Sequence, residues 1–98
     1  MSENNTGFSI IRCDRAGVFF AKVRELEGST AVLTDCRRLW YWSGAASLSQ
    51  MAMEGVKRPN ECRFTVTVPI MTVLGVIEII PCTVQAVQNI QAVPEWKS

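Results

Sequence analysis

The 98-residue chain contains no histidine, so the commonest general base and the commonest metal ligand are absent together. Its four cysteines, Cys13, Cys36, Cys62 and Cys82, stand at wide intervals with no CxxC pair. That spacing argues against a zinc site, and in a reducing compartment the four read as small buried or half-buried hydrophobes. Charge of one sign is lacking too: ten Lys and Arg against nine Asp and Glu leave a net charge of +1. A protein that coats a phosphate backbone usually carries a basic surplus or stripe, so nucleic acid is not an expected partner. Long apolar runs are missing as well. The longest candidate, Val73 to Ile80, contains Glu78 and stops at Pro81, far short of the roughly 18 to 20 residues a membrane span needs. The opening MSENNTGF has no basic start and no signal-like apolar stretch. These absences predict a cytoplasmic protein without metal or cofactor.

One domain is expected, with residues 1–7 as a flexible N-terminus, 8–93 as the folded unit and 94–98 as a C-terminal tail, frayed unless Trp96 docks. A domain of this size buries only roughly 60 to 65 per cent of its unfolded surface. The apolar share of 48% therefore favours a homo-oligomer.

Periodicity predicts mostly strand. Phe8 to Cys13 and Val18 to Leu26 read as a hairpin around the turn Asp14 to Gly17, followed by Ser29 to Thr34 and, after a break at Asp35 and Cys36, Arg37 to Trp42. Ser43 and Gly44 fit a helix start, with Ala45 to Glu54 as helix and Gly55 as its stop. Arg63 to Val68 alternates as a half-exposed strand, and Val73 to Ile80 reads as a central strand buried on both faces. Thr83 caps a second helix, Val84 to Ala92, with Val87 and Ile90 inward. The fold class is α+β, a mainly antiparallel sheet, with barrel-like closure as one form, and two short helices.

The most specific stretch is Arg37 to Gly55, RRLWYWSGAASLSQMAMEG. Adjacent strand residues point to opposite faces, so at least one ring of Trp40, Tyr41 and Trp42 must leave the core and seek a partner. Carboxylates sit mainly at turns and strand ends, and the serines lack a base or a GxSxG elbow, so no catalysis is expected. Glu78, inside an apolar strand, is read as edge-facing. Binding suits the residues better: Arg37, Arg38, Trp40 and Trp42 offer stacking faces and charged forks, and Ser43, Ser47, Lys57 and Arg58 would complete an anion site at the helix start. Tyr41 with the small residues Ala45, Ala46 and Ser49 forms the candidate oligomer interface.

The phrases DRAGVFFAKV, RRLWYWSGAASLSQMAMEGV and VLGVIEIIPCT resemble a family of small uncharacterised proteins of tailed bacteriophages and prophages, over nearly the whole chain from Ser9 to Trp96. Ala21 departs from the glycine expected after VFF. The resemblance implies a phage origin and a place in the infected bacterial cytoplasm; it supplies no catalytic residues. In that setting the leading expectation is a non-catalytic accessory protein that sequesters a nucleotide-type signalling molecule of host defence. An inhibitor of a host protein and a structural or assembly factor are the alternatives.

Overall fold

The computed structural model describes residues 6–97, in which seven regular elements follow one another: β1 (Phe8–Cys13), β2 (Val18–Glu27), β3 (Thr30–Tyr41), α1 (Leu48–Glu54), β4 (Arg63–Val73), β5 (Val76–Pro81) and α2 (Val84–Gln91). A single 3-10 turn, Pro59–Glu61, leads into β4. The strands form one sheet in the order β4-β3-β2-β1-β5, with every neighbouring pair antiparallel. The fold is α+β and mostly sheet.

Three expectations about the strands change. The predicted break at Asp35 is a bulge inside one continuous 12-residue strand. Asp35 takes φ 49°, and the pairing with β2 shifts register there, between Phe20 and Lys22. A single residue in the left-handed conformation absorbs an extra position without ending the ladder. β4 likewise runs on through Pro69 to Val73, which an edge strand tolerates because its outer side makes no ladder bonds. The run Val73 to Ile80, taken for a central strand buried on both faces, spans the end of β4, a two-residue link and most of β5, the opposite edge of the sheet, where residues are half-buried or exposed. Glu78 lies on it, ion-paired with Arg12 at 3.0 Å.

The sheet is also not closed. β4 pairs with β3 and β5 with β1, and no ladder joins the two edges among the described residues. It nevertheless curls strongly. Only Leu74 and Gly75 separate the ends of β4 and β5, and the Val76 N–H donates to the Ser29 carbonyl in the β2–β3 turn at 2.9 Å.

The curl creates two cores, because alternate side chains on a strand serve opposite faces. On one face Ile10, Phe20, Leu39 and Phe64 pack against Met51 and Ala52 of α1 and Ala86 and Ile90 of α2. On the other, Ile11, Phe19, Ala21 and Leu33 are fully buried with no helix over them. They are covered from both edges, by Val73 of β4 and by Val76 and Ile79 of β5. Cys13 and Cys36 belong to this helix-free core and Cys62 and Cys82 to the other, all four as buried free thiols.

The helices are tied to one another at their ends. Thr83 caps α2, its Oγ1 accepting from the Ala86 N–H at 3.1 Å and donating to the Met53 carbonyl at the end of α1 at 2.6 Å. Asn89 of α2 closes the C-terminus of α1: its Oδ1 accepts from the Val56 N–H at 2.7 Å, and its amide donates back to the Val56 carbonyl at 2.9 Å.

Residues 1–5 of the expected flexible N-terminus, and Ser98, lie outside the described residues. Thr6 is anchored, its Oγ1 donating to the Cys82 carbonyl at 3.0 Å. The C-terminal tail is docked as well: Glu95 bridges in parallel to Phe64, the Trp96 N–H donates to the Phe64 carbonyl at 2.8 Å, and the Trp96 ring stacks on Trp40. No helix among the described residues is long and apolar enough to cross a membrane.

Candidate functional site

The second half of β3 carries the arginines and aromatics, and the Asp35 bulge decides which way each one faces. Arg37 and Leu39 turn toward the helices, while Arg38 turns to the other face. The consequence for the two arginines is opposite.

Arg37 is only 4% exposed, and its guanidinium is held by four backbone carbonyls. Nε donates to Thr65 at 2.7 Å, Nη1 to Ile90 at 2.8 Å, and Nη2 to Val93 at 2.6 Å and Phe64 at 3.4 Å. Burial pulls its pKa down, an effect that Glu95 opposes. The Ile90 carbonyl, in the last turn of α2, also accepts from the Val93 N–H at 3.2 Å, and Arg37 adds a second donor there, tying the end of α2 to the sheet. Its fork is occupied by the fold, and Arg37 lines a different cleft from Arg38, the one that also holds Lys22, Asp35 and Glu95.

Arg38 is only half-buried. It sits directly across from Phe19 in the β2–β3 ladder, with its guanidinium 4.7 Å from that ring's centre and Nη1 donating to the Ala16 carbonyl. Its backbone N–H donates to Thr65 Oγ1 at 3.2 Å. Arg38, Trp40 and Trp42 then line one cleft of about 560 Å³, closed opposite by the turn from Ala16 to Val18. Trp42 has its other side packed on the helix-side core with Ala45 and Leu48. These three of the predicted ligand residues are brought together.

The other candidates lie elsewhere. Ser47, not Ser43, caps α1, accepting from the Gln50 N–H at 3.1 Å, so the helix starts at Leu48, three residues later than the expected Ala45. Ser43 instead donates to Glu61 Oε1 at 3.1 Å and accepts from Arg58 at 3.4 Å, on an exposed loop with Lys57. None of Ser43, Ser47, Lys57 and Arg58 lines the Arg38 cleft. Gly44 explains itself through packing. It has φ +93°, and a Cβ there would stand 2.6 Å from the Lys57 backbone nitrogen, so the two loop segments meet only because residue 44 has no side chain. Of the candidate interface residues, Tyr41, Ala46 and Ser49 are exposed, while Ala45 is half-buried against its own chain's core.

Two groups escaped the sequence. Arg15, in the turn after β1, shares a second cleft of about 470 Å³ with Arg38, Met71 and Leu74. Its signal was the turn DRAG ahead of a strand that pairs with β3. Arg63 stands opposite Tyr41 in the ladder, with its guanidinium 5.4 to 5.9 Å from the ring centres of Trp96, Trp40 and Tyr41. Trp40 and Trp96 stack with centroids 5.5 Å apart. A third cleft, of about 430 Å³ on the other side of β3, is lined by both signs of charge, including the Lys22 and Asp35 pair at 3.7 Å.

The thiols have no place in this chemistry. Burial raises the pKa of each, Cys36 to about 11 and Cys82 to about 12; for Cys13 and Cys36 the nearby Arg38 partly offsets the effect. A thiol held protonated in this way is a poor nucleophile and a poor metal ligand.

Residues 8–90 match the family model described as "Domain of unknown function (DUF6948)". No curated protein and no solved structure matches the chain.

Proposed function

The chain belongs to the DUF6948 family, whose description names no activity, and we propose that it is a non-catalytic binding protein for a nucleotide-type ligand. The observation that carries this reading is the convergence of Arg38, Trp40 and Trp42 on one cleft whose lining contains a cation and two large rings but no carboxylate. Indole faces suit a flat base, and a guanidinium with free N–H groups suits phosphate. The mixed-charge cleft across β3 is less suited to an anion, because Asp35 and Glu95 line it. In the phage setting that the sequence resemblance implies, such a protein would sequester a signalling nucleotide of the host.

Titration of a nucleotide panel against the intrinsic tryptophan fluorescence tests the reading, with calorimetry as the check. Binding should quench the signal, and Arg38→Ala should weaken affinity by about tenfold or more, the scale of one charge-assisted contact, without lowering the melting temperature. Absence of binding across the panel would refute it.

A second reading rests on a different observation. Trp40, Tyr41 and Trp96 are 58%, 50% and 44% exposed around Arg63, a composition typical of protein hot spots. An inhibitor of a host protein would dock there. Trp96→Ala would then abolish capture of that partner while leaving nucleotide binding unchanged.

A further inference from the structure

The two clefts on the Arg38 face adjoin one another and share part of their lining. Arg38 and Ala16 line both of them, so a single guanidinium stands at the waist of a groove with two arms. One arm ends at Trp40 and Trp42. The other runs past Arg15 to Met71 and Leu74, and Leu74 is 68% exposed. Neither arm has a carboxylate in its lining.

Such a groove has a definite chemical preference. Its fixed cation lies in the middle, where Nη1 is already anchored to the Ala16 carbonyl and the guanidinium carbon stands 4.7 Å from the Phe19 ring centre, so the remaining N–H groups are held in place. Surfaces for planar or apolar groups lie to either side. A mononucleotide has one ring and a terminal phosphate, and would fill one arm and the waist. A molecule with a ring at each end and its anion between them would use all three parts.

We infer that the groove takes a dinucleotide, two nucleosides joined through phosphate. The phosphate lies at Arg38, one base lies on Trp40 and Trp42, and the second lies along Met71 and Leu74 beside Arg15. This rests on the nucleotide reading of the same site and adds the second arm to it.

Calorimetry on the full chain separates the two claims. The probes are AMP and GMP against the linear dinucleoside monophosphates ApA and GpG. The dinucleoside forms carry less negative charge than the mononucleotides, so any gain in affinity must come from their second end. At least one dinucleotide should bind about tenfold tighter than its mononucleotide, as expected when a second contact becomes intramolecular. Arg15→Ala and Leu74→Ala, both at exposed positions, should remove that advantage and leave the mononucleotide affinity unchanged. Mononucleotide binding with no dinucleotide advantage would overturn the inference alone. So would an advantage that both variants retain. If no probe binds, the nucleotide reading falls and this inference with it.

Discussion

Arg37 Nη1 donates to the Ile90 carbonyl at 2.8 Å, across 53 positions of sequence, and so fastens the last turn of α2 to the middle of the sheet. Its neighbour Arg38 instead bonds the Ala16 carbonyl and lies over Phe19, on the other face. Two consecutive arginines thus do different work, one inside the fold and one at its surface.

Replacing Arg37 should therefore cost stability, and replacing Arg38 should not. Arg37→Ala removes a donor from four backbone carbonyls in a buried site, of which Phe64 and Ile90 keep the Trp96 and Val93 N–H groups, and is expected to cost about 2 kcal/mol or more. Arg37→Lys should recover little, because a single ammonium cannot reproduce the planar fork. Arg38→Ala should stay within about 1 kcal/mol of the parent. Urea denaturation of the three variants decides the matter, and equal midpoints for Arg37→Ala and Arg38→Ala would contradict the assignment.

Gly44 and Gly28 both have positive φ, but only Gly44 is crowded. Gly44→Ala should cost about 2 kcal/mol or more, from backbone strain together with a clash against Lys57. Gly28→Ala, with nothing within 4 Å of its would-be Cβ, should lose only about 1 kcal/mol. Thermal melting of the pair isolates the close approach from the dihedral.

Stability should fall as the solution becomes strongly alkaline. Cys36 and Cys82 ionise at about 11 and about 12 in the folded chain, against an ordinary value of 9.0. Above pH 9 the unfolded chain releases these protons first, so it binds fewer protons than the native one and the free energy of unfolding declines with pH. The contribution is complete below pH 9 and is lost as the pH climbs through 11 to 12. Each unit of pKa separation corresponds to about 1.4 kcal/mol, and denaturation curves at pH 8.5 and pH 10.5 should differ by an amount of that order. A double Cys36→Ala, Cys82→Ala variant should show a flatter profile. If it shows the same slope, other groups are responsible. Dithiothreitol at neutral pH should leave the melting temperature unchanged, since all four thiols are free.

The Trp40 and Trp96 stack should report on the tail. Trp40→Ala removes the surface on which Trp96 rests, at a cost of about 1 kcal/mol. It should raise acrylamide quenching of the remaining tryptophans as Trp96 becomes more exposed. Unchanged quenching per tryptophan would mean that the hydrogen bond from Trp96 to Phe64 holds the tail by itself.

Much of this architecture was legible in the chain. The alternation in Phe8 to Cys13 and Val18 to Leu26 predicted the first hairpin, Thr83 announced α2, and the isolated cysteines read as buried hydrophobes. What escaped has physical causes. A left-handed aspartate inside a strand resembles a turn in sequence, so Asp35 looked like a boundary. Pro69 looked like a terminator because its tolerance depends on β4 being an edge, which is a property of topology. The apolar richness of Val73 to Ile80 suggested a strand covered on both sides, whereas a curled sheet gives its edges burial from one another. In the candidate site, the motif around Trp40 was visible, but which arginine turned inward depended on the parity set by that bulge. The start of α1 was readable and missed: Ser47 followed three positions later by Gln50 is a capping pattern.

The pairing of β1 with β5 also sets an order of events. Ser9 lies against Pro81, and Thr6 is bound to the Cys82 carbonyl, so β1 gains its second neighbour only when β5 follows it by about seventy residues. Until β5 exists, β1 presents an unpaired edge and Ile11 and Phe19 lack part of their cover. Three of the four ladders join consecutive strands, and only the pairing of β1 with β5 closes a loop of about seventy residues, the step whose entropy cost slows completion of the sheet. A fragment that stops before Val76 should behave as a sticky intermediate, and the finished protein should appear only once both ends of the sheet are present.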